Sequence, residues 1–490
     1  MHPNRFTLLA IVLLFAGCPT QDPPLPDDDD TTTGNDDDDD DSGDDDSGDS
    51  GDDDDSTPAP LLWPDLPHLD AVVDLARGST PVWASLISVQ DDDGVPAFAS
   101  YAYADTADRT DFWVASTIKI YTVTAALVLL REQGLSLDTE ATFYRRTDSA
   151  DPWSEDLTVT FRQLIFDVFD HSSNSAYTLL LRFAGIDWLS TAFFTPAHGF
   201  QSTALMVPYV SDRPWRYDRG EQQRIVLTDG ATTAERTHTW SGTLYDDEVG
   251  CAFRYSSRAN CSPPSEMAEH MRRLMFHEWL PDSERFAVDP EQLDWVRYGD
   301  ATTDVMYLPG SPWAEGVLRV FPDADYWHKA GRVTDYALDL HYVDDVTTNT
   351  RFAASVVTES TTTAAYDRVS EELTRMLRTP QTYVHLDWLV DGVNPVNADL
   401  WVYTEVAGTL ELVVKPYSAD GMQDSGWTVL PGTTTAVDPG EAWFALTSDC
   451  LDPAFDGQQH VRGRFTPTGE APVATSDLHY VVVDVDVPCP

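Results

Sequence analysis

The sequence predicts an α/β protein of the α+β kind over residues 61–379, followed by an all-β, sandwich-like domain over 381–490. Three observations predict it. Two strand-like runs, Val82 to Gln90 and Ala97 to Ala104, precede a helical middle, and about three strand-like segments follow it. The run from Ser116 to Leu130 is apolar around most of a helix's circumference, so it belongs at the centre of a core. Beyond Pro380 only short strands remain, punctuated by Pro and Gly turns, the pattern of a small β-sandwich.

The N-terminus reads as an export signal over residues 1–18. Arg5 supplies positive charge, Thr7 to Ala16 is apolar but too short to span a bilayer, and Ala16-Gly17-Cys18 follows. Small residues ending at a cysteine resemble the lipobox of bacterial lipoproteins, with Phe15 an imperfect match. That resemblance implies cleavage before Cys18, lipid on its sulfur, membrane attachment through that lipid, and a periplasmic, outer-membrane or cell-surface location. An ordinary cleaved signal is the alternative.

Residues 19–60 form an acidic linker of Asp, Ser, Gly, Thr and Pro that cannot bury a core. Fully stretched it reaches about 130 Å. The formal charge of −53 argues against nucleic acid as a partner, because phosphate binding needs a basic face. Of the five cysteines, four remain after Cys18, in two local pairs. An even remainder in an exported chain predicts Cys251–Cys261 and Cys450–Cys489 disulfides. Neither pair has CxxC spacing, so no zinc, other metal or cofactor is expected.

From Leu61 the composition turns globular. His68 to Arg77 reads as a short helix, and Asp91-Asp92-Asp93-Gly94 as the turn between the first two strands. Gly134 stops the central helix. Leu157 to Thr160 leads into a helix over Phe161 to Phe169. A polar break, Asp170 to Ser175, separates it from the next helix, Ala176 to Phe183, and Ser and Asn there suit a helix N-cap. Residues 207–262, rich in Arg, Asp, Thr and Trp, show no legible element. Ser262-Pro263-Pro264 opens an amphipathic helix from Ser265 to Leu280. After Trp327 to Arg332, Tyr336 to Val343 alternates, Asp344-Asp345 turns, Arg351 to Thr358 is a strand, and Ala364 to Leu377 closes the domain. The C-terminal strands are Tyr383 to Val390, Leu400 to Val406, Thr409 to Val414, Trp427 to Leu430, Glu441 to Leu446 and His479 to Val485.

Of the 30 basic residues only three are lysine: Lys119, Lys329 and Lys415. Lysine, unlike arginine, can release its proton when desolvated. Lys119 stands three residues after Ser116, a spacing that is weak evidence alone. It gains weight from Ser172-x-Asn174 and Lys329-Ala330-Gly331.

The three motifs in this order resemble those of serine β-lactamases and penicillin-binding proteins, class A most closely, over about residues 65–379. Leu157-Thr158-Val159, Ala176 to Leu181, Ser262-Pro263-Pro264 and Asp335 fit the same pattern. The resemblance implies a five-stranded antiparallel sheet flanked by helices. It also implies catalysis by Ser116, Lys119, Ser172 and Asn174, with Lys329, Ala330, Gly331 and Arg332 binding substrate. Lys119, its pKa lowered by burial and by Lys329, would take the Ser116 proton. Ser172 would pass a proton to the leaving nitrogen, and Asn174 would orient Lys119 and the substrate amide. Lys329 would attract a substrate carboxylate, and the N–H groups of Ser116 and Arg332 would form the oxyanion hole.

Three departures stand out. Ser173 replaces the usual aspartate, and Ala330 the usual threonine, removing a hydroxyl near the substrate carboxylate. The loop that carries the deacylating glutamate in class A falls near Ser202 to Tyr209, which holds no carboxylate. Asp212, Glu221 and Glu235 either substitute for it or are surface charges. The expectation is a class A β-lactamase-like hydrolase forming an acyl-enzyme on Ser116. Its substrate is a small β-lactam or a related amide or ester. The alternatives are a D-Ala-D-Ala carboxypeptidase or penicillin-binding type acting on peptidoglycan-type peptides, an esterase, and a non-catalytic envelope-binding protein.

Overall fold

Twelve consecutive buried residues, Lys119 to Leu130, fix the centre of the architecture. A helix apolar on every side must be surrounded, and the chain wraps helices and a sheet around this one. The structure is a computed structural model that describes residues 68–484, apart from 93–94, 213–214, 255–256, 309, 380, 391–393, 418–425, 470–473 and 477. The export signal, Cys18, the acidic linker 19–60, the Asp93-Gly94 turn and Cys489 lie outside the described residues.

The principal sheet has strands β1 (Val82–Asp92), β2 (Val95–Ala102), β3 (Asp325–Arg332), β4 (Tyr336–Asp345) and β5 (Thr350–Glu359). All pairings are antiparallel, in the order β2-β1-β5-β4-β3. Two early and three late strands thus make one sheet. Its helices are α1 (Leu69–Arg77), α2 (Lys119–Glu132), α3 (Phe161–Asp170), α4 (Asn174–Ala184), α5 (Pro264–Met275) and α6 (Ala364–Arg378). One sheet face meets the core around α2, and the other meets α1 and α6. This is the five-stranded α/β arrangement expected from the sequence.

Local signals set the helix ends. The Thr160 hydroxyl accepts the N–H of Gln163 at 3.3 Å and caps α3. The Ser173 hydroxyl accepts that of Ala176 at 3.1 Å and caps α4. Gly134, at φ +64°, turns the chain away after α2. Two boundaries differ from expectation. Ser116 to Ile118 form a tight turn, in which the Lys119 N–H reaches Ser116 O, and α2 proper begins at Lys119. Residues 276–280 leave α5 for a short 3₁₀ turn at His277–Trp279.

The illegible stretch 207–262 contains a hairpin, Gln222–Asp229 and Thr232–Thr239, turning at Gly230 (φ +57°). It extends strands Glu140–Arg146 and Ser154–Thr160 into a second, four-stranded sheet. The Cys251–Cys261 disulfide is present, with Cα atoms 5.8 Å apart. Cys450 is disulfide-bonded as well.

Among the described residues past 380, the regular elements are strands and one 3₁₀ turn, Pro453–Phe455. Strands β6 (Thr382–Leu389), β7 (Asn397–Thr404) and β8 (Gly440–Thr447) form one sheet. A second sheet is built on Gly408–Pro416 and Gly457–Pro467. The 457–467 strand was not anticipated. Its inward positions are Gln459, Val461, Gly463, Phe465 and Pro467, so apolar alternation is broken. A Cβ at Gly463 would sit 2.3 Å from Leu400 Cδ2, so a larger residue there would displace Leu400. Tyr383 and Trp401 from this region share an apolar core with α1 and α6. No helix among the described residues is long and apolar enough to cross a membrane.

Candidate active site

The start of α2, the α3–α4 turn and strand β3 meet at one cleft of about 480 Å³. Its lining includes Ser116, Ser172, Asn174 and the run Lys329 to Arg332, so three segments distant in sequence converge. Gly331 explains how β3 comes so close to the serine. A Cβ there would lie 2.9 Å from Ser116 N and 3.1 Å from both Thr117 N and Ala115 Cβ, so only glycine fits. Ala115 and Ser172 are held at φ +46° and +50°, left-handed conformations that non-glycine residues seldom adopt. Such strain gathers where surroundings dictate the backbone, and here it flanks the serine and forms the α3–α4 turn.

Lys119 is fully buried. Its ammonium donates to Asn174 Oδ1 at 2.6 Å and to the Ser172 carbonyl, and lies 3.4 Å from Ser172 Oγ. No ion pair to Lys119 occurs among the described residues. Burial, and then the nearby Lys329 cation, lower its pKa to about 6. A neutral amine has two N–H donors, matching Asn174 Oδ1 and Ser172 O, and that leaves its lone pair unused. Lys329 Nζ donates to Ser172 Oγ at 3.0 Å and to its neighbour's carbonyl, Ala330 O, at 2.9 Å. Burial lowers Lys329 to about 8, against the pull of Asp339. The Ser172 hydroxyl therefore bridges two amines.

The loop expected to carry a deacylating carboxylate is pinned from three sides. Asn260 Oδ1 accepts the N–H groups of Met206 and Val207, each at 2.8 Å. Glu266 accepts those of Gln201 and Ser202, and Thr178 Oγ that of Tyr209. The loop delivers Tyr209, whose hydroxyl donates to Ala115 O at 2.7 Å and whose ring centre lies 5.7 Å from Lys119 Nζ. A tyrosine thus occupies ground beside the serine and lysine. None of the three substitute carboxylates lines the cleft. Glu221 is buried against Arg145 and Arg216, Glu235 pairs with Arg224 on an exposed strand, and Asp212 is exposed. The carboxylate that does line the cleft is exposed Asp170.

Arg332 lines the cleft but turns its guanidinium to Thr361 O at 2.9 Å. Sequence reasoning passed over Asn260, Glu266 and Thr178, which support the loop, and His328 and Trp313, which line the cleft. Asn, Glu, Thr and His carry no local pattern that marks such roles.

A family model described as the beta-lactamase enzyme family matches residues 97–377. Among solved structures, the chain is similar to a β-lactamase from Sphaerobacter thermophilus DSM 20745. Identity is 15%, coverage 64% of this chain and 95% of that one, and the TM-score 0.37. It is similar also to the TLA-1 extended-spectrum β-lactamase, at 11% identity, 63% and 96% coverage and a TM-score of 0.41. For PBP-A the values are 16%, 64% and 97%, and 0.40. No curated protein sequence matches the chain.

Proposed function

The chain belongs to the beta-lactamase enzyme family, and we propose that it is a serine hydrolase working through an acyl-enzyme on Ser116. The observation that carries this reading is the Lys119 environment: a buried amine with no carboxylate partner among the described residues, beside a second cation, three residues from a serine that lines the cleft. The Ser116 proton passes to Lys119 as Oγ bonds to the substrate carbonyl carbon. The developing oxyanion is received by the N–H groups of Ser116 and Arg332. The carbonyl C–N or C–O bond then breaks, and the proton returns from Lys119 through the Ser172 hydroxyl to the leaving atom. Lys329 attracts the substrate carboxylate and keeps Lys119 neutral.

Tyr209 favours a slow second half. Water attacking the ester would need a base, and the loop near Ser116 supplies a phenol whose hydrogen is already given to Ala115 O. Burial pushes the Tyr209 phenol up to about 12, so it is a poor base at neutral pH. The substrates are β-lactams and related amides or esters, with acyl-enzyme lifetimes nearer those of a penicillin-binding type. An export signal with Cys18 as lipid anchor and the 19–60 linker as tether would hold the domain near peptidoglycan-type peptides.

Incubation with a fluorescent penicillin, followed by the mass adduct on Ser116 and its decay, tests the proposal. Labelling that persists is expected. Rapid loss of the label would give an efficient β-lactamase instead. Labelling that survives Ser116→Ala, or no label with penicillins or activated esters, overturns the assignment.

A further inference from the structure

Ala115 and Ser116 share one planar, trans peptide unit. In such a unit the C=O and the N–H point in opposite directions, so whatever fixes the Ala115 carbonyl also aims the Ser116 N–H. That N–H makes no hydrogen bond among the described residues, and Ser116 lines the cleft. Ala115 sits at φ +46°, a conformation that an alanine keeps only where its surroundings dictate it. The Ala115 carbonyl accepts the Tyr209 hydroxyl at 2.7 Å, across 94 positions of sequence.

Tyr209 is itself firmly placed. Its N–H donates to Thr178 Oγ at 3.2 Å, and its ring packs on that of Tyr177 with centres 4.7 Å apart. The Tyr177 hydroxyl and the Asn260 amide both donate to Val207 O, at 3.1 and 2.9 Å, and so hold the chain just before it. Burial pushes the phenol up to about 12, so the hydroxyl keeps its hydrogen and remains a donor. A carbonyl that accepts a hydrogen bond polarises the N–H at the other end of its peptide unit, which then donates more strongly.

We propose that Tyr209 is a positioning residue for acylation: its hydroxyl locks the Ala115–Ser116 peptide so that the Ser116 N–H is aimed at the developing oxyanion. Tyr209 does not line the cleft, and it acts through the backbone of the nucleophile. The inference rests on the acyl-enzyme reading above and deepens it. The loop that offers deacylation no carboxylate is thereby fastened to the first half of the reaction.

Tyr209→Phe tests this, because it removes the hydroxyl and keeps the ring. Acylation of Ser116 by benzylpenicillin slows about three- to tenfold, the effect of one lost neutral hydrogen bond. The stretching frequency of the acyl carbonyl rises, because a misaimed N–H polarises it less. Infrared difference spectroscopy with penicillin ¹³C-labelled at the β-lactam carbonyl reads that frequency. p-Aminophenylalanine at position 209 donates again and returns both readouts toward wild type. An unchanged rate, a slowed rate with an unmoved carbonyl stretch, or a failed rescue overturns the proposal and leaves the acyl-enzyme reading standing. A wild-type protein that penicillin does not label on Ser116 overturns both. Should Tyr209→Phe fail to fold, p-methylphenylalanine, which fills the space of the hydroxyl without a donor, takes its place in the same comparison.

Discussion

Helix α4 joins two buried clusters of charge that follow opposite rules. At its first residue, Asn174 accepts from Lys119, which shares Ser172 with Lys329, and neither buried amine has an ion pair among the described residues. In its last turn, Arg182 enters a network in which every charge is answered. Arg182 meets Asp156 at 2.9 Å, and Arg145 meets Asp156 at 2.7 Å and Glu221 at 3.0 Å. Both arginine side chains are 0% exposed, yet they can stay charged because their partners are in place. Burial and the Arg145 cation bring Arg182 down only to about 10. Equal burial without partners takes Lys119 to about 6. Compensated burial makes structure; uncompensated burial of a group that can release a proton makes a base.

The strongest way to break this contrast is Lys119→Arg. A guanidinium keeps its charge, so it cannot serve as base, and acylation should fall about 10³-fold. Stopped-flow labelling with a fluorescent penicillin checks this, and a near-normal rate would remove Lys119 from the mechanism. Asp156→Asn attacks the other cluster. It leaves Arg145 and Arg182 short of a partner and should cost about 3–5 kcal/mol of stability, read from urea unfolding. Acylation by the protein that remains folded should change little.

The pH profile sharpens the comparison. Lys119 must be neutral, so acylation rises as pH climbs through about 6. Lys329 must be charged, so it falls again through about 8. Acylation rates between pH 4 and 10 should trace this bell, whereas stability of the arginine network should show no matching inflections. Lys329→Met should lower the rate throughout and abolish the basic limb, and the smallest effect is the shift it leaves in the acidic limb. Removing the neighbouring cation raises the Lys119 pKa, and the acidic limb should move up by about one unit or less. An unmoved limb would mean that burial alone sets the base.

Much of the site was legible because its parts are local. Ser116 and Lys119 stand one turn apart, Ser173 is a cap residue, and Lys329 and Gly331 face alternate directions from Ala330 on one strand. The supporting shell was not legible. Asn260 holds a loop over 50 residues upstream, and His328 meets Asp339 from the next strand. Asp229-Gly230 is a turn signal that could have exposed the missed hairpin. Strand 457–467 hid itself by placing Gln459 and Gly463 on its inner face.

The sequence by itself determined the kind of chemistry: a serine, a base that can lose its proton, and a glycine where backbone must approach backbone. These follow from residue type and from helical and strand periods, which act over a few residues. Only the tertiary structure decided that Lys329 reaches Ser172 across 157 positions, that Tyr209 stands where a carboxylate was sought, and which buried charges find partners. Those outcomes depend on desolvation and long-range closure, which belong to the packed molecule and not to any stretch of chain.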